Sequence, residues 1–384
     1  MTLTTGNTAA VTPHDAPHAT SSTTSHADPG VRGRPLLVGT RGSPLALIQT
    51  RDFLDRVRGA ATLLHRHGDP PMFDEHVIRT TGDATQEAGT RLADIGGKGL
   101  FAKEIHEALA DGRIDFAVHS LKDLESELPV GIVLGCTLPR EDPRDVLILG
   151  PACNARDDRV QAGSLPDGGA SDGNAPTGNA PGRVGGDAAD PADPYACLPH
   201  GAVIGTASVR RQAQLLHARP DLTTATLRGN VQTRMQKVAS GVCAASMLAY
   251  AGLRRLGLAD RADVVLDAET MVPSVCQGIV GVTVRAGDAD LRELLAAIED
   301  AAARLAATAE RALLAALDGS CRTPIGGYAR LLPNGDLHLT GLVARADGTF
   351  LLKRHLHGPA GDAARIGAEL AVILRAESPR DVFA

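Results

Sequence analysis

Aromatic side chains are nearly missing from this chain: its 384 residues include six Phe, three Tyr and no Trp. Its cores must be aliphatic, and it has no aromatic platform on which nucleic-acid bases would stack, so no nucleic-acid partner is expected. A basic excess is missing as well. Lys and Arg number 39 against 45 Asp and Glu, a net charge of −6, which argues against a general polyanion binder. Any anion site must be a local concentration of cations. No apolar run approaches the ~18 residues of a membrane span, so no membrane partner is expected. The six cysteines, at 136, 153, 197, 243, 276 and 321, never fall into C-x-x-C spacing. Neither a zinc site nor a disulfide framework is expected, and a reduced, cytoplasmic chain fits best.

Two segments lie outside any folded pattern. Residues 1–35 lack a basic stretch followed by an apolar one, which excludes a secretory signal, and they read as a disordered leader. In residues 166–194, "PDGGASDGNAPTGNAPGRVGGDAADPADP", 23 of 29 positions are Gly, Ala, Pro or Asp. Such a stretch buries no apolar face and reads as a flexible surface insertion.

What remains is 43% hydrophobic overall and long enough for two or three domains. Strand and helix signals alternate along it. "PLLVGT" is a buried-strand run leading into "RGSPLALIQTRDFLDRV", a helix with Pro44 in its first turn. "GLFAKEIHEALADGR" sets Phe101, Ile105, Ala108 and Leu109 on one helical face, and Gly112 stops it. "IDFAVHS" alternates as a strand does, and "AVIGTASVRRQAQLLHARP" is again strand, turn and helix. This alternation implies parallel α/β sheets with the site at the strand C-termini. After Gly327 the pattern becomes a hairpin turning at Asp347-Gly348, followed by an amphipathic helix from about Pro359 to Arg375, a small α+β domain.

Cations recur at strand-to-helix junctions: Arg41, Lys98 in "GGKGLF", Arg210 and Arg211, Arg228, and Arg234. Free backbone N–H groups and the helix dipole favour anions at such places, and the Arg fork pairs bidentately with carboxylates or phosphates. The set points to a polyanionic ligand, although each member alone is equally an exposed arginine on a solvated helix. A nucleotide is disfavoured, because "GGKGL" lacks the G-x-x-x-x-G-K-[ST] frame and no G-x-G-x-x-G follows the first strand. In "AVHSLKDLESELP", His119, Ser120, Lys122 and Asp123 cluster where a strand ends. A carboxylate there can stabilise developing positive charge or accept hydrogen bonds from ring N–H donors, while His119 reads as structural. Cys321, in the Gly/Pro-punctuated loop "DGSCRTPIGG", stays open between nucleophile, covalent anchor and idle thiol.

The segments "GTRGSPLAL", "IGGKGLFAKEI", "AVHSLKD", "REDPRD", "GTASVRRQAQLL", "LRGNVQTR", "LAYAGLRRLGL" and "GSCRTPIG" together resemble the porphobilinogen deaminase (hydroxymethylbilane synthase) family, in the family's order from about residue 36 to 330. The resemblance implies a transferase that condenses four porphobilinogens head to tail, with loss of ammonia, in tetrapyrrole and haem biosynthesis. It implies a dipyrromethane cofactor joined by a thioether to Cys321, and a monomeric cytoplasmic enzyme without a metal. Arg41, Lys98, Ser208, Arg210, Arg211, Arg228, Arg234 and Arg255 would hold the carboxylates of cofactor and product. Asp123, with Lys122 beside it, would be catalytic, accepting pyrrole N–H groups and stabilising the cation left when ammonia departs. The implied fold is α/β with three domains. Two periplasmic-binding-protein-like doubly wound domains flank a cleft (36–138 plus 279–296, and 144–272), and a small C-terminal α+β domain (301–384) carries the cysteine loop.

Four positions depart from the family pattern. Asp94 stands where a cofactor-binding Lys is frequent, "KDLES" replaces "KDVPT", Cys276 replaces a Gly near the hinge, and Cys243 replaces an Asp. Two rivals use the same residues differently: a non-catalytic anion-binding protein, and a cysteine-dependent transferase with a thioester intermediate.

Overall fold

The structure, a computed structural model, describes residues 34–64, 71–83, 101–153, 193–317 and 323–383. Lys98, Cys321 and Asp94 lie outside the described residues, as do nearly all of the expected leader and insertion.

The first sheet runs in the order β2-β1-β3-β10-β4, built from β1 (Leu36–Thr40), β2 (Phe73–Val77), β3 (Phe116–Ser120), β4 (Ile132–Thr137) and β10 (Val280–Arg285). β1 is parallel to β2 and β3, whereas β10 is antiparallel to β3 and β4. Between β1 and β2 lies the helix Pro44–Leu64. The Ser43 hydroxyl oxygen accepts from the Ala46 N–H at 3.3 Å, and Pro44 follows at the first helical position, where a missing N–H costs nothing. Phe53, Leu54 and Val57 turn one face of this helix onto the sheet, and Phe53 meets Phe116 edge-on with ring centroids 5.7 Å apart.

The second sheet repeats that order with different strands. It runs β7-β6-β8-β5-β9, from β5 (Asp145–Leu149), β6 (Val203–Gly205), β7 (Thr223–Ala225), β8 (Ala245–Ala249) and β9 (Val264–Val265). Here β6 is parallel to β7 and β8, and β5 is the antiparallel strand. Both sheets are thus doubly wound, and each takes its antiparallel strand from a chain crossing. The chain leaves the first sheet after β4 to lay down β5, and returns after β9 to lay down β10. Leu147, Ile204, Leu215 and Met247 fill the second core and are fully buried, each worth about 1.5–3 kcal/mol of burial.

The third sheet is an antiparallel meander of β11 (Ile325–Leu331), β12 (Asp336–Ala344) and β13 (Leu351–Pro359). Helices Ala301–Ala316 and Ala363–Glu377 cover one face. They approach so closely that a Cβ on Gly367 would fall 2.2 Å from the Ala309 carbonyl oxygen. The hairpin turns at Asp347-Gly348 as the sequence suggests, with Gly348 at φ +78°. The last helix begins at Ala363 rather than near Pro359, because Pro359 still belongs to β13 and a short turn, Ala360–Asp362, intervenes. Among the described residues no helix is long and apolar enough to cross a membrane.

A buried carboxylate ties this third domain to both crossings. Glu310 is fully buried; it accepts from Arg140 at 2.6 Å, from the Ala329 N–H at 2.7 Å and from the Cys276 N–H. Arg140 also donates to the Gln277 and Ala329 carbonyls. A buried ion pair offsets its desolvation only when its remaining polar atoms are satisfied in this way. Cys276 itself, at φ +60°, is the one non-glycine residue with positive φ among the described residues. That is the departure from Gly noted in the sequence. The left-handed conformation costs an L side chain roughly 1–2 kcal/mol, and here it is imposed on the second crossing. We expect Cys276→Gly to be more stable than Cys276→Ala by about 1 kcal/mol in urea denaturation. Equal stability would show that no strain resides there.

Candidate active site

Parallel strands of a doubly wound sheet deliver their following loops to one edge, and an antiparallel strand begins at that same edge. In the first sheet the edge receives Arg41 after β1 and residues 119–123 at the end of β3. In the second it receives Ser208–Arg211 after β6, Arg228 after β7 and, one turn into the helix Val231–Ala239, Arg234. Asp145 opens β5 opposite Ala249, the last residue of β8. Val280 of β10 lies opposite Ser120. The two crossings therefore feed the same region as the strand ends.

On the first-sheet side a pocket of about 90 Å³ is lined by Arg41, Gln49, Phe101, Ser120, Lys122 and Asp123, among others. Arg41 lies over the Phe101 ring, 4.2 Å from its centroid. Its guanidinium pairs with Asp83 at 2.5 Å and reaches Asp123 at 3.9 Å. Burial pushes the Asp83 carboxyl up, but Arg41 and Thr80 outweigh it and hold the group below the usual carboxylate range. Asp123 remains 36% exposed and open to a ligand. Gln49 and Ser120 exchange hydrogen bonds at 2.9 and 3.1 Å, fixing the wall beside it. His119 is buried, its Nε2 3.1 Å from the Thr283 hydroxyl, and burial pulls its pKa down to about 3. A neutral, satisfied imidazole agrees with the structural reading of this residue.

On the second-sheet side, Arg210 and Arg211 are buried and share Asp145, at 2.7 and 2.8 Å. Arg210 also donates to the Val272 carbonyl, and Arg211 to the Met247 carbonyl at 2.8 Å. Burial opposes ionisation of Asp145, but the two guanidiniums prevail and hold it far below its ordinary range. The Nε atoms of both arginines are buried without a hydrogen-bond partner. Ser208 caps the helix, its hydroxyl oxygen accepting from the Arg211 N–H at 3.4 Å. Arg234 donates to the Gly229 carbonyl at 2.8 Å. Burial lowers its pKa to about 10, helped by Arg211 and Arg228 and opposed by Asp123.

These influences place Arg211, Arg228 and Arg234 in one field with Asp123, so the cluster spans both sheets. Lys122 joins it: burial lowers its pKa to about 8, against Asp123 and Asp145 and together with Arg211 and Arg210. Arg255 stands apart, donating to the Gly278 carbonyl at 2.7 Å with Glu141 and Asp52 as its acidic neighbours. Among the described residues, six cations (Arg41, Lys122, Arg210, Arg211, Arg228 and Arg234) thus gather with three carboxylates (Asp83, Asp123 and Asp145). Sequence reasoning assigned no role to Asp83 or Asp145. "REDPRD" contained Asp145, but its partners lie 65 and 66 residues on.

Residues 36–170 and 189–293 match the family model described as "Porphobilinogen deaminase, dipyromethane cofactor binding domain", and residues 304–376 match "Porphobilinogen deaminase, C-terminal domain". The chain belongs to the porphobilinogen deaminase family. Relatives carrying that name include one from Paracoccus denitrificans, 42% identical over 350 residues, covering 91% of this chain and 96% of its own. A chloroplastic one from Pisum sativum is 43% identical, covering 82% of this chain and 74% of its own. Among solved structures, a Salmonella typhimurium periplasmic binding protein aligns at 12% identity and a TM-score of 0.34, over 73% of this chain and 96% of its own, too loosely to carry an argument.

Two departures from the porphobilinogen deaminase pattern have a visible setting. In "KDLES", Leu124 is buried against the third-domain core, and Arg311 donates to the Glu125 and Ser126 carbonyls at 2.7 and 2.8 Å. Cys243 is buried in the apolar core of the second sheet, where burial raises its thiol pKa. Leu124 also lines the pocket beside Lys122 and Asp123, whereas the Cys243 thiol packs among apolar side chains.

The depressed Lys122 ammonium gives the site a pH signature. If its charge holds substrate, kcat/KM falls as pH rises through about 8. In Lys122→Arg, whose guanidinium stays charged, that alkaline limb should disappear; a limb unchanged in the variant would remove Lys122 from substrate binding.

Proposed function

We propose that this chain condenses four porphobilinogen molecules head to tail into hydroxymethylbilane, with Asp123 at the reacting centre and Cys321 as the cofactor anchor. It is a porphobilinogen deaminase, a transferase of tetrapyrrole synthesis that uses dipyrromethane. The observation that supports the reading most is the surplus of cations over carboxylates around Asp123 among the described residues. Each pyrrole unit carries an acetate and a propionate, so cofactor and growing chain are polycarboxylates, and guanidinium forks suit them.

The donor set therefore fits the cofactor. Arg211, Arg228 and Arg234, with Lys98 and Ser208, would hold its acid arms, and Cys321 its sulfur link. When bound, the dipyrromethane supplies the free pyrrole carbon from which the product is built. Arg41 and Lys122 orient incoming porphobilinogen over Asp123. As the C–N bond breaks, its electron pair leaves with ammonia and positive charge develops on the substrate's ring nitrogen. Asp123 accepts that N–H and stabilises the charge, while the pocket walls keep water from the cation; a fixed group aimed at developing charge is worth roughly 3–4 kcal/mol. Arg210 acts from behind, through Asp145, and Arg255 through the Gly278 carbonyl.

We assign the domains to residues 36–138 plus 279–296, 144–272 and 301–384, and the enzyme to the cytoplasm as a monomer acting on a small molecule alone. Two experiments test the reading. Intact mass spectrometry of protein expressed with porphobilinogen available should show a covalent pyrrole adduct that is missing in Cys321→Ser; an apo mass in both would overturn the anchor. Asp123→Asn should retain the adduct and lose roughly 10²–10³-fold in kcat, whereas near-normal turnover would take Asp123 out of the chemistry.

A further inference from the structure

Gln277 is 1% exposed and belongs to neither sheet; it sits in the second crossing between Cys276 and Gly278, both at positive φ. Its side-chain amide is used at every end. Nε2 donates to the Pro143 carbonyl and to Asp145 Oδ1, both at 2.7 Å. Oε1 accepts from Lys122 Nζ at 3.4 Å. Its backbone is held too: the N–H donates to Ser274 at 2.9 Å, and the carbonyl accepts from Arg140. One amide therefore joins the first-sheet ammonium to the second-sheet carboxylate that grips Arg210 and Arg211.

We propose that Gln277 is a positioning residue of this site: its amide fixes where the Lys122 ammonium stands relative to Arg210 and Arg211, and so sets the grip on the substrate's carboxylates. This rests on the reading of Lys122 as a substrate-holding cation. An amide suits the place because it offers a donor toward Asp145 and an acceptor toward Lys122 without adding charge. A carboxylate would repel Asp145, and an apolar side chain would leave both ends unsatisfied. The charged groups facing Lys122 are Asp123, Arg211, Asp145 and Arg210. With cations and carboxylates evenly matched there, the neutral acceptor has leverage on the ammonium's affinity for its proton.

The test uses the cofactor-loaded enzyme, with loading checked by intact mass. Gln277→Met keeps the length and removes the hydrogen bonds. It should raise KM for porphobilinogen roughly tenfold, change kcat less than about threefold, and move the alkaline limb of kcat/KM to lower pH. Gln277→Glu should move that limb up by about one pH unit, because a carboxylate wedged between Asp145 and Lys122 favours the ammonium as counter-ion, at some cost in stability from the repulsion by Asp145. A merely structural glutamine would shift neither limb. If the Met variant does not fold, the Glu variant alone decides. A limb that disappears in Lys122→Arg but stays at its wild-type position in folded Gln277→Glu overturns this inference alone; a limb still present in Lys122→Arg overturns the reading beneath it as well.

Discussion

Asp145 is the group around which the site is assembled. A carboxylate out of water is tolerable only if paired, and this one is paired twice, with Arg210 and Arg211. The pairing runs in the other direction as well. Two neighbouring guanidiniums repel each other, and without a shared counter-ion they could not be packed side by side under the second sheet. Fixing them there leaves positive charge uncompensated toward the open side, where Arg228, Arg234 and Lys122 add to it. The result is a prepaid electrostatic field: protein dipoles and charges are ordered before any ligand arrives, so little reorganisation is left for binding or reaction.

That arrangement follows from the sheet order. Each sheet borrows its antiparallel strand from a crossing, so the crossings pass the strand ends where the loops of parallel strands converge. The residues of the crossings, Arg140 and Asp145 in one, Cys276 and Gln277 in the other, are drawn into the same hydrogen-bonded system as the loop residues. Glu310 extends that system into the third domain. Geometry at the crossings and geometry of the anion site are therefore one problem. Placing a strained cysteine there, as this chain does, bears on both.

Much of this was legible in the residues. Apolar runs ending in Gly or Thr and followed by Arg located the strand ends, because period and turn chemistry are local properties. The cations at those ends were legible for the same reason. Which of them face a ligand was not. Arg210 and Arg211 are neighbours in sequence and look equivalent, yet both spend hydrogen bonds on buried carbonyls, and Arg255 turns to the hinge backbone instead. Asp83, Asp145 and Gln277 gave no sequence signal, since their partners are 42, 65 and 155 residues distant. Cys276 was visible as a departure, but its positive φ needed the backbone.

On the proposed function, the surplus of positive charge grips pyrrole carboxylates tethered to the third domain. A crystal structure of catalytically competent protein, purified from cells that make porphobilinogen, tests it most directly. It should show a pyrrole pair bonded to the Cys321 sulfur, with acid arms within hydrogen-bond distance of Arg211 and Arg234 and ring nitrogens on Asp123. A bare sulfur far from those arginines, in material that turns over, would contradict it.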